Sequence, residues 1–543
     1  MSTRRGLTGL SALLGIGAFV GMVALGAATS GDIGQALVAS IAASATVLLV
    51  KKRPVLAFGL LFVLASFSGI VVGLTVGRVR IEEPSIIAAV ITLAVTGGWP
   101  RRALIRPVIP TALAFAAYLL VLSLSSALNA PEPIISARMI TWTSLSMLGG
   151  VVAFALLASA GRWGAESWIT ATGVVHAAIG LGVAAAFLML GPAGIPGMQV
   201  SRGEVPKVAG LAFEANLYAS MLGATAPFAL ERFRTRRTVE TALPFLVIMV
   251  GFGLGVTRGA YLGLAVGLTA YLGILAYRTR LPRQLGHVLA VIAIAFILAP
   301  SVSAISLPVE RPTVERPTPG PGATVGPAGS TSATPQPVES REPRPTPVTD
   351  TVQYRANQIP VALKDLTISP VIGLGAASFG QRHELQGDLL GTRDYIGVLA
   401  LVALYESGVV GTVALAMGLA LALRLLLLLS GRAPGMAAAF VASLVSLLVA
   451  YQATNGLFFA INWLILGAAL GYAVRVGQPP GIASSAGSRP GDGGRTRTSP
   501  TEPTPPRQAS EAVATVLQAQ RSRPCRRGCA PLRPGERPAP RAG

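Results

Sequence analysis

Apolar runs of about 18 or more residues recur along the chain, and the short stretches between them are rich in Arg and Lys. A run of that length crosses roughly 30 Å of hydrocarbon as an α-helix. The pattern predicts spans over residues 7–29, 33–50, 54–76, 109–128, 140–160, 168–190, 211–230, 242–256, 260–277, 287–307, 396–429, 436–453 and 457–474. A run over 85–98 is shorter, yet Arg101, Arg102 and Arg106 follow it, which favours a crossing. The first run exceeds the apolar core of a signal peptide and is read as a retained helix, with the small residues GAATSG open to cleavage. The expected fold is therefore all-α, a polytopic integral membrane protein of about 12–14 transmembrane helices.

One long water-loving stretch, from about Leu307 to Tyr395, interrupts this pattern, and a polar tail ends it. The divisions expected are N-terminal helices over 1–307, a spacer over 308–353, a folded loop over 354–395, C-terminal helices over 396–475 and a tail over 476–543. The spacer is a Pro/Thr/Gly/Ser tract without apolar period, hence disordered or polyproline-like. The tail holds 11 Arg against 4 acidic residues. It is expected to be disordered, basic and drawn to anionic lipid head groups.

Composition sharpens this picture. The chain is 52% hydrophobic and 12% charged, where soluble proteins carry roughly 25% charged residues. Its net charge of +21 can suggest nucleic acid, but the placement argues against that partner and for membrane lipids. Counted from a cytoplasmic N-terminus, the clusters at Arg4/Arg5, Lys51 to Arg53, Arg101/Arg102, Arg232 to Arg237 and Arg278 to Arg283 all fall inside, the positive-inside pattern of a cytoplasmic membrane. The same count puts the large loop outside as an extracytoplasmic loop, along with the 190–211 loop and the turn Thr257-Arg258-Gly259. Arg78 and Arg80 also fall outside, offset by Glu82 and Glu83. Cys525 and Cys529 lie in the tail, and a CxxxC pair without nearby His has too few ligands for structural zinc. No P-loop, no GxGxxG opening a helix and no HExxH occurs, which weakens readings as an ATP-driven pump or a zinc protease. No acidic cluster has metal-ligand spacing, so no metal and no other cofactor is expected.

Candidate chemistry collects on the outer side. Arg258, between two spans, is costly at a membrane boundary unless it caps helices or serves a site. Its planar fork of donors suits a diphosphate. Glu214 and Asn216 begin the helix after the 190–211 loop. Glu214 can pair with Arg202, Lys207 or Arg258, or line a substrate cavity, and Asn216 suits helix packing. His383, flanked by Arg382 and Glu384, is the only histidine on the outer side and is suited to proton transfer near neutral pH. His176 falls mid-span and His287 at an inner helix end, both as packing or boundary residues. Arg355, Arg382 and Arg393 give the folded loop three guanidinium groups, with Lys364 as a fourth cation, against Asp365, Glu384, Asp388 and Asp394. That near-neutral balance favours specific pairing with a phosphate over a general anion patch. Gly373, Gly375, Gly380, Gly387 and Gly391 suggest tight turns.

Three stretches, in order, resemble one family, the O-antigen ligases and related O-antigen polymerases. FEANLYASMLGATAPFAL is similar to the family's Asn-containing helix, and GVTRGAYLGLAVGL to its Thr/Ser-Arg-Gly-Ala turn between spans. YRANQIPVALKDLTISPVIGLGAASFG, followed by YESGVVGTVALAMGLAL, resembles its Arg-led helix, Gly-x-Gly turn and Glu-x-Gly start of the next span. One departure stands out. Family members often carry His-Asn just before that span, where this chain has Thr392-Arg393-Asp394-Tyr395-Ile396-Gly397. The resemblance implies a metal-independent membrane glycosyltransferase that moves a glycan from a polyprenyl-diphosphate donor to a glycan, lipid or protein acceptor. Arg258, with Arg355, Arg382 or Arg393, would hold the diphosphate. His383, or failing it Glu384 or Asp394, would take the acceptor proton, and Glu214 and Asn216 would line the substrate site. A polymerase differs from a ligase only in its acceptor. A flippase would show inverted repeats or broken helices at matching positions in two halves, and no clear case occurs.

Overall fold

The computed structural model describes residues 33–67, 71–74, 77–160, 163–190, 198, 199, 207–212, 214–279, 286–294, 351–383, 396–429, 431, 433–454 and 456–477. These residues form a predominantly helical membrane protein. The predicted span over 7–29, residues 308–350 of the spacer and residues 478–543 of the tail lie outside them, while 351–353, assigned to the spacer, open a helix instead.

Proline fixes several of the helix starts, because its missing N–H costs nothing in a first turn. Helix α1 runs Ile33–Lys52, and α2, Pro54–Ser66, starts on Pro54 directly after it. Then come the antiparallel strands β1 (Val71–Leu74) and β2 (Gly77–Arg80), in the register Val71 to Arg80 and Leu74 to Gly77. Helix α3, Glu83–Thr96, carries Pro84 in its first turn and ends on the left-handed Gly97. A short α4, Arg102–Ile105, and a single 3-10 turn lead into α5, Ile109–Asn129. Helices α6 (Pro133–Ser159) and α7 (Ala165–Leu190) follow, and then a second hairpin, β3 (Met198–Gln199) with β4 (Lys207–Val208). The next three helices are α8 (Ala215–Arg236), α9 (Val239–Leu254) and α10 (Arg258–Thr279). Residues 286–294 form α11. Beyond the spacer lie α12 (Thr351–Leu366), α13 (Ser378–Arg382), α14 (Leu399–Leu429), α15 (Pro434–Ala450) and α16 (Ala460–Val476).

Among the described residues, six helices are long and apolar enough to cross a membrane, and four shorter apolar helices accompany them. The predicted span over 54–76 is corrected. Its helix stops at Ser66, and Val71–Leu74 is the first strand of the β1–β2 hairpin. Val71, Val72 and Val79 are β-branched and Gly73 and Gly77 are poor helix formers, so this apolar run favours a pleated ribbon.

The hairpin delivers Arg80 into the core, fully buried. Its Nε lies 3.0 Å from Glu83 and 3.5 Å from Glu82, which realises the offset read from the sequence. Nη2 donates to Ser146 Oγ at 3.0 Å and Trp142 O at 3.3 Å, and Nη1 donates to Phe458 O. Arg80 thus ties the hairpin to α6 and to the segment before α16.

Two close-packed seams set the helix positions. On α10, Gly259, Gly263 and Gly267 recur every four residues against α15. A Cβ on Gly263 would meet Ser446 O and lie 3.0 Å from Ala450 N, and one on Gly267 would lie 2.6 Å from Ala442 O. Small residues at this spacing let two backbones touch, the main source of helix association in lipid. Gly150 of α6 and Gly467 of α16 form the second seam, where a Cβ on Gly150 would come within 2.7 Å of Trp463 O.

Candidate functional site

Arg258 opens α10, and the turn before it is strained. Val256 has φ +44°, a left-handed conformation rare for a β-branched residue. Such a residue costs about 1–3 kcal/mol and persists only where packing holds it. The Arg258 side chain is exposed and makes no hydrogen bond or ion pair among the described residues. It also stands where the first-turn amides of α10 lack helical partners and the helix dipole is positive.

The residue after it, Gly259, packs without room for a side chain on Ala453, in the 3-10 turn Tyr451–Ala453 that follows α15. Thr454 Oγ1 donates to Glu214 Oε1 at 2.5 Å. Glu214 is the extended residue capping α8, and Thr454 is a partner that charge pattern alone does not suggest. Asn216 is half-buried in the first turn of α8, where its carbonyl accepts from Ser220 Oγ. On the other side, Gln452 Oε1 accepts from Ala400 N–H at the start of α14, at 3.3 Å. The consecutive residues Gln452, Ala453 and Thr454 therefore join α14 to the turn that carries Arg258.

The loop half over 351–383 is sewn to α14 by a clasp. Helix α14 breaks at Gly408, with φ 62° and ψ −168°. The break turns the carbonyls of Tyr405 and Glu406 outward, where they accept from Leu374 N–H at 2.8 Å and Gly375 N–H at 3.0 Å. In return Val409 N–H donates to Pro370 O at 3.0 Å and Val410 N–H to Val371 O at 3.1 Å. Ala377 N–H donates to Glu406 Oε1 at 2.8 Å. Gly373 and Gly375 both have positive φ, and a Cβ on Gly373 would lie 2.6 Å from Glu406 O. The Gly-x-Gly and Glu-x-Gly stretches are thus the two halves of one structure. Ser126 and Ser136, from α5 and α6, hold Ala376 from its other side through its N–H at 2.8 Å and its carbonyl at 2.7 Å.

This clasp carries His383. Its Nε2 lies 2.7 Å from Asp365 Oδ2 at the end of α12, and the Tyr405 hydroxyl donates to the same oxygen at 2.8 Å. The ring also packs on Phe379, at 4.7 Å between centroids. A carboxylate on one ring nitrogen fixes the orientation of the imidazole, which leaves Nδ1 as the nitrogen for a proton. Arg382 is half-buried and donates through Nη2 to Asn129 O at 2.7 Å. Part of its fork therefore secures the end of α5. Arg355 lies in α12, its side chain outside the described residues, and Glu384 and Arg393 lie outside them entirely.

Sequence reasoning passed over Tyr405 and Thr454, and counted Asp365 in the loop's charge balance without pairing it with His383. Asp365 and Tyr405 stand 18 and 22 residues from His383, with no periodicity to connect them. An apolar crevice of about 60 Å³ between α14, α15 and α16 reaches Tyr451 and Asn462 beneath this end. Among the described residues no three His, Cys, Asp or Glu side chains gather as metal ligands. The class these features define is a helical membrane protein with a polar cluster at one end of its bundle. No protein-family model matches the chain, and no curated protein matches it.

Proposed function

We propose that this protein is a glycosyltransferase of the cytoplasmic membrane of a bacterium that moves a glycan from a polyprenyl-diphosphate carrier to an acceptor hydroxyl on the outer face, as an O-antigen ligase does. The observation that carries this reading is a cation and a base reaching one end of the bundle. Arg258 there is exposed and unpaired among the described residues, and the segment Gln452–Thr454 links its turn to the helix that anchors the His383–Asp365 pair. The chemistry needs little more. As the bond from the anomeric carbon to the diphosphate breaks, its electron pair leaves with the phosphate, and Arg258 with the amides of α10 stabilises that charge. The acceptor oxygen forms the new bond and gives its proton to His383, oriented by Asp365. Apolar helix faces hold the prenyl chain. The sequence resemblance supports the same reading, and a polymerase would differ only in its acceptor.

The test is glycan transfer by the full-length protein in proteoliposomes supplied with a bacterial pool of polyprenyl-diphosphate-linked oligosaccharides. Losing a donor aimed at developing charge costs about 10²–10³ in rate, so Arg258→Ala is expected to fall by about that factor. Full activity of Arg258→Ala would refute the site. Movement of lipid-linked glycan across the bilayer without any transfer would replace the enzyme with a transporter.

A further inference from the structure

A groove of about 360 Å³ runs between α5 and α6, floored by α16, at the end of these helices remote from His383 and its clasp. Its lining is almost wholly apolar, with Phe115, Leu119 and Met147 toward the middle of α5 and α6 and Pro100, Ile105 and the exposed Trp99 at the end by α4. The volume falls in the about 300–1,000 Å³ range of small-molecule sites. From Ile105 to Leu119 the chain climbs 14 residues, about 21 Å along a helix. That exceeds half of the roughly 30 Å hydrocarbon core, so the groove matches the depth of one leaflet.

What stands at the mouth indicates the occupant. Arg101, Arg102 and Arg106 flank the lining residues Pro100, Ile105 and Val108 in the chain, and all three are exposed. None forms an ion pair among the described residues. No Asp or Glu occurs in the sequence between Glu83 and Glu132, so the three charges have no acidic neighbour in the chain. An apolar slot one leaflet deep with cations at its rim complements a molecule with a long hydrocarbon tail and a phosphate head. Basic pockets between transmembrane helices take such lipids by the same logic.

We propose that this groove is a binding site for an anionic phospholipid of the leaflet at the Arg-rich end, with an acyl chain between α5 and α6 and its phosphate held by Arg101, Arg102 and Arg106. The site is separate from the cluster around Arg258 and His383, and it does not depend on the glycosyltransferase reading. Filling the groove with lipid would brace α5 against α6, the two helices whose other ends hold Ala376 through Ser126 and Ser136.

Two of the five tryptophans, Trp99 and Trp463, line the groove, and brominated acyl chains quench tryptophan fluorescence on contact. The experiment uses the full-length protein in phosphatidylcholine vesicles titrated with phosphatidylglycerol or phosphatidylcholine carrying dibrominated chains. One surface Arg favours an anionic lipid by about fivefold, so brominated phosphatidylglycerol is expected to reach half-quenching at a mole fraction about tenfold or more below brominated phosphatidylcholine. The combined variant Arg101→Gln/Arg102→Gln/Arg106→Gln loses that preference. Ala116→Phe, on an exposed groove-lining position, keeps every charge yet loses the quenching. Variants that retain the wild-type circular dichroism spectrum decide the matter. Equal quenching by the two lipids in the wild type overturns the proposal, as does a preference that survives the triple variant or quenching that survives Ala116→Phe. Should either variant misfold, Trp99→Phe/Trp463→Phe reports instead, and an undiminished phosphatidylglycerol signal from the other tryptophans overturns it equally.

Discussion

Gly408→Ala isolates the clasp between the loop and α14. Gly408 sits at φ 62° and ψ −168°, a region open in practice only to glycine and costing about 1–3 kcal/mol for other residues. A Cβ there would press on Val371 O and lie 2.5 Å from Gly373 N, so the two strands of the clasp must part. Parting them weakens the bonds from Leu374 and Gly375 to α14 and from Val409 and Val410 back to the loop. Losing one or two such bonds costs about 1 kcal/mol each, for a sum of roughly 2–5 kcal/mol. Hydrogen–deuterium exchange read by mass spectrometry on the full-length protein measures this directly. About 3 kcal/mol speeds exchange through local opening by roughly two decades, confined to peptides covering 370–376 and 408–411. Gly182→Ala is the control, because Gly182 lies within α7 with open space around its Cβ direction. Exchange at Leu374, Gly375, Val409 and Val410 unchanged from wild type would refute the clasp as the element that holds this end together.

Three further outcomes follow from the same geometry. Burial pushes the Glu82 carboxyl from its ordinary 4.5 up to about 7, against the pull of Arg80 and with a smaller push from Glu83. The folded protein then holds a proton that the unfolded chain releases, so this contribution, roughly 3 kcal/mol, is complete below about pH 4.5 and is lost as pH rises through 7. Glu82→Gln should therefore gain thermal stability over wild type at pH 8 and little at pH 5, and parallel melting profiles from pH 5 to 8 would refute this. Asp365→Asn removes the charge that both His383 and Tyr405 use. Transfer is expected to fall about tenfold or more, and unaltered transfer would remove Asp365 as the residue that orients His383. Gly263→Val forces α10 off α15 at Ser446 and Ala450, which should cost about 1–3 kcal/mol in the detergent-solubilised protein, and an unchanged melting midpoint would show that the seam is not close-packed.

Much of the helical framework could be read in advance, because hydropathy over long windows reports the solvent a segment needs and proline marks where a helix can begin. The predicted spans over 109–128, 168–190 and 260–277 fall within α5, α7 and α10, or within a residue or two of them. The span over 54–76 failed for a reason hydropathy does not encode. A hairpin rich in valine and glycine is as apolar as a helix, and only the β-branched and glycine content from Val71 to Arg80 separates them. The offset of Arg78 and Arg80 by Glu82 and Glu83 was legible because they are near neighbours in the chain, and for Arg80 it is realised as close pairing. The partners of His383 were not. Asp365 reaches it through the turn of α12 into the clasp, and Tyr405 through α14, and neither route leaves a periodic trace. The glycines of GAYLGLAVGL, four apart, did carry a readable seam signal, which the likeness of the neighbouring Thr-Arg-Gly-Ala turn overshadowed.

The seam and the clasp together tie the turn of Arg258 and the helix that anchors His383 to the same short segment after α15. The glycine face of α10 locks to α15, so the first turn of α10 must lie against the residues that follow α15, and Arg258 is set beside Ala453. The break at Gly408 locks the loop to α14, so His383 must follow the start of α14. Gln452 bonds to that start, and Thr454 bonds to the cap of α8. Each neighbouring polar group named here is thereby engaged by the scaffold: Glu214 with Thr454, Gln452 with Ala400, Arg382 with Asn129, Asp365 with both Tyr405 and His383. Among the described residues the Arg258 side chain is not, although the strained Val256 before it means the fold spends stability to hold that turn. On the glycosyltransferase reading proposed above, this exposed cation, at a helix start already positive, is where the donor diphosphate would bind.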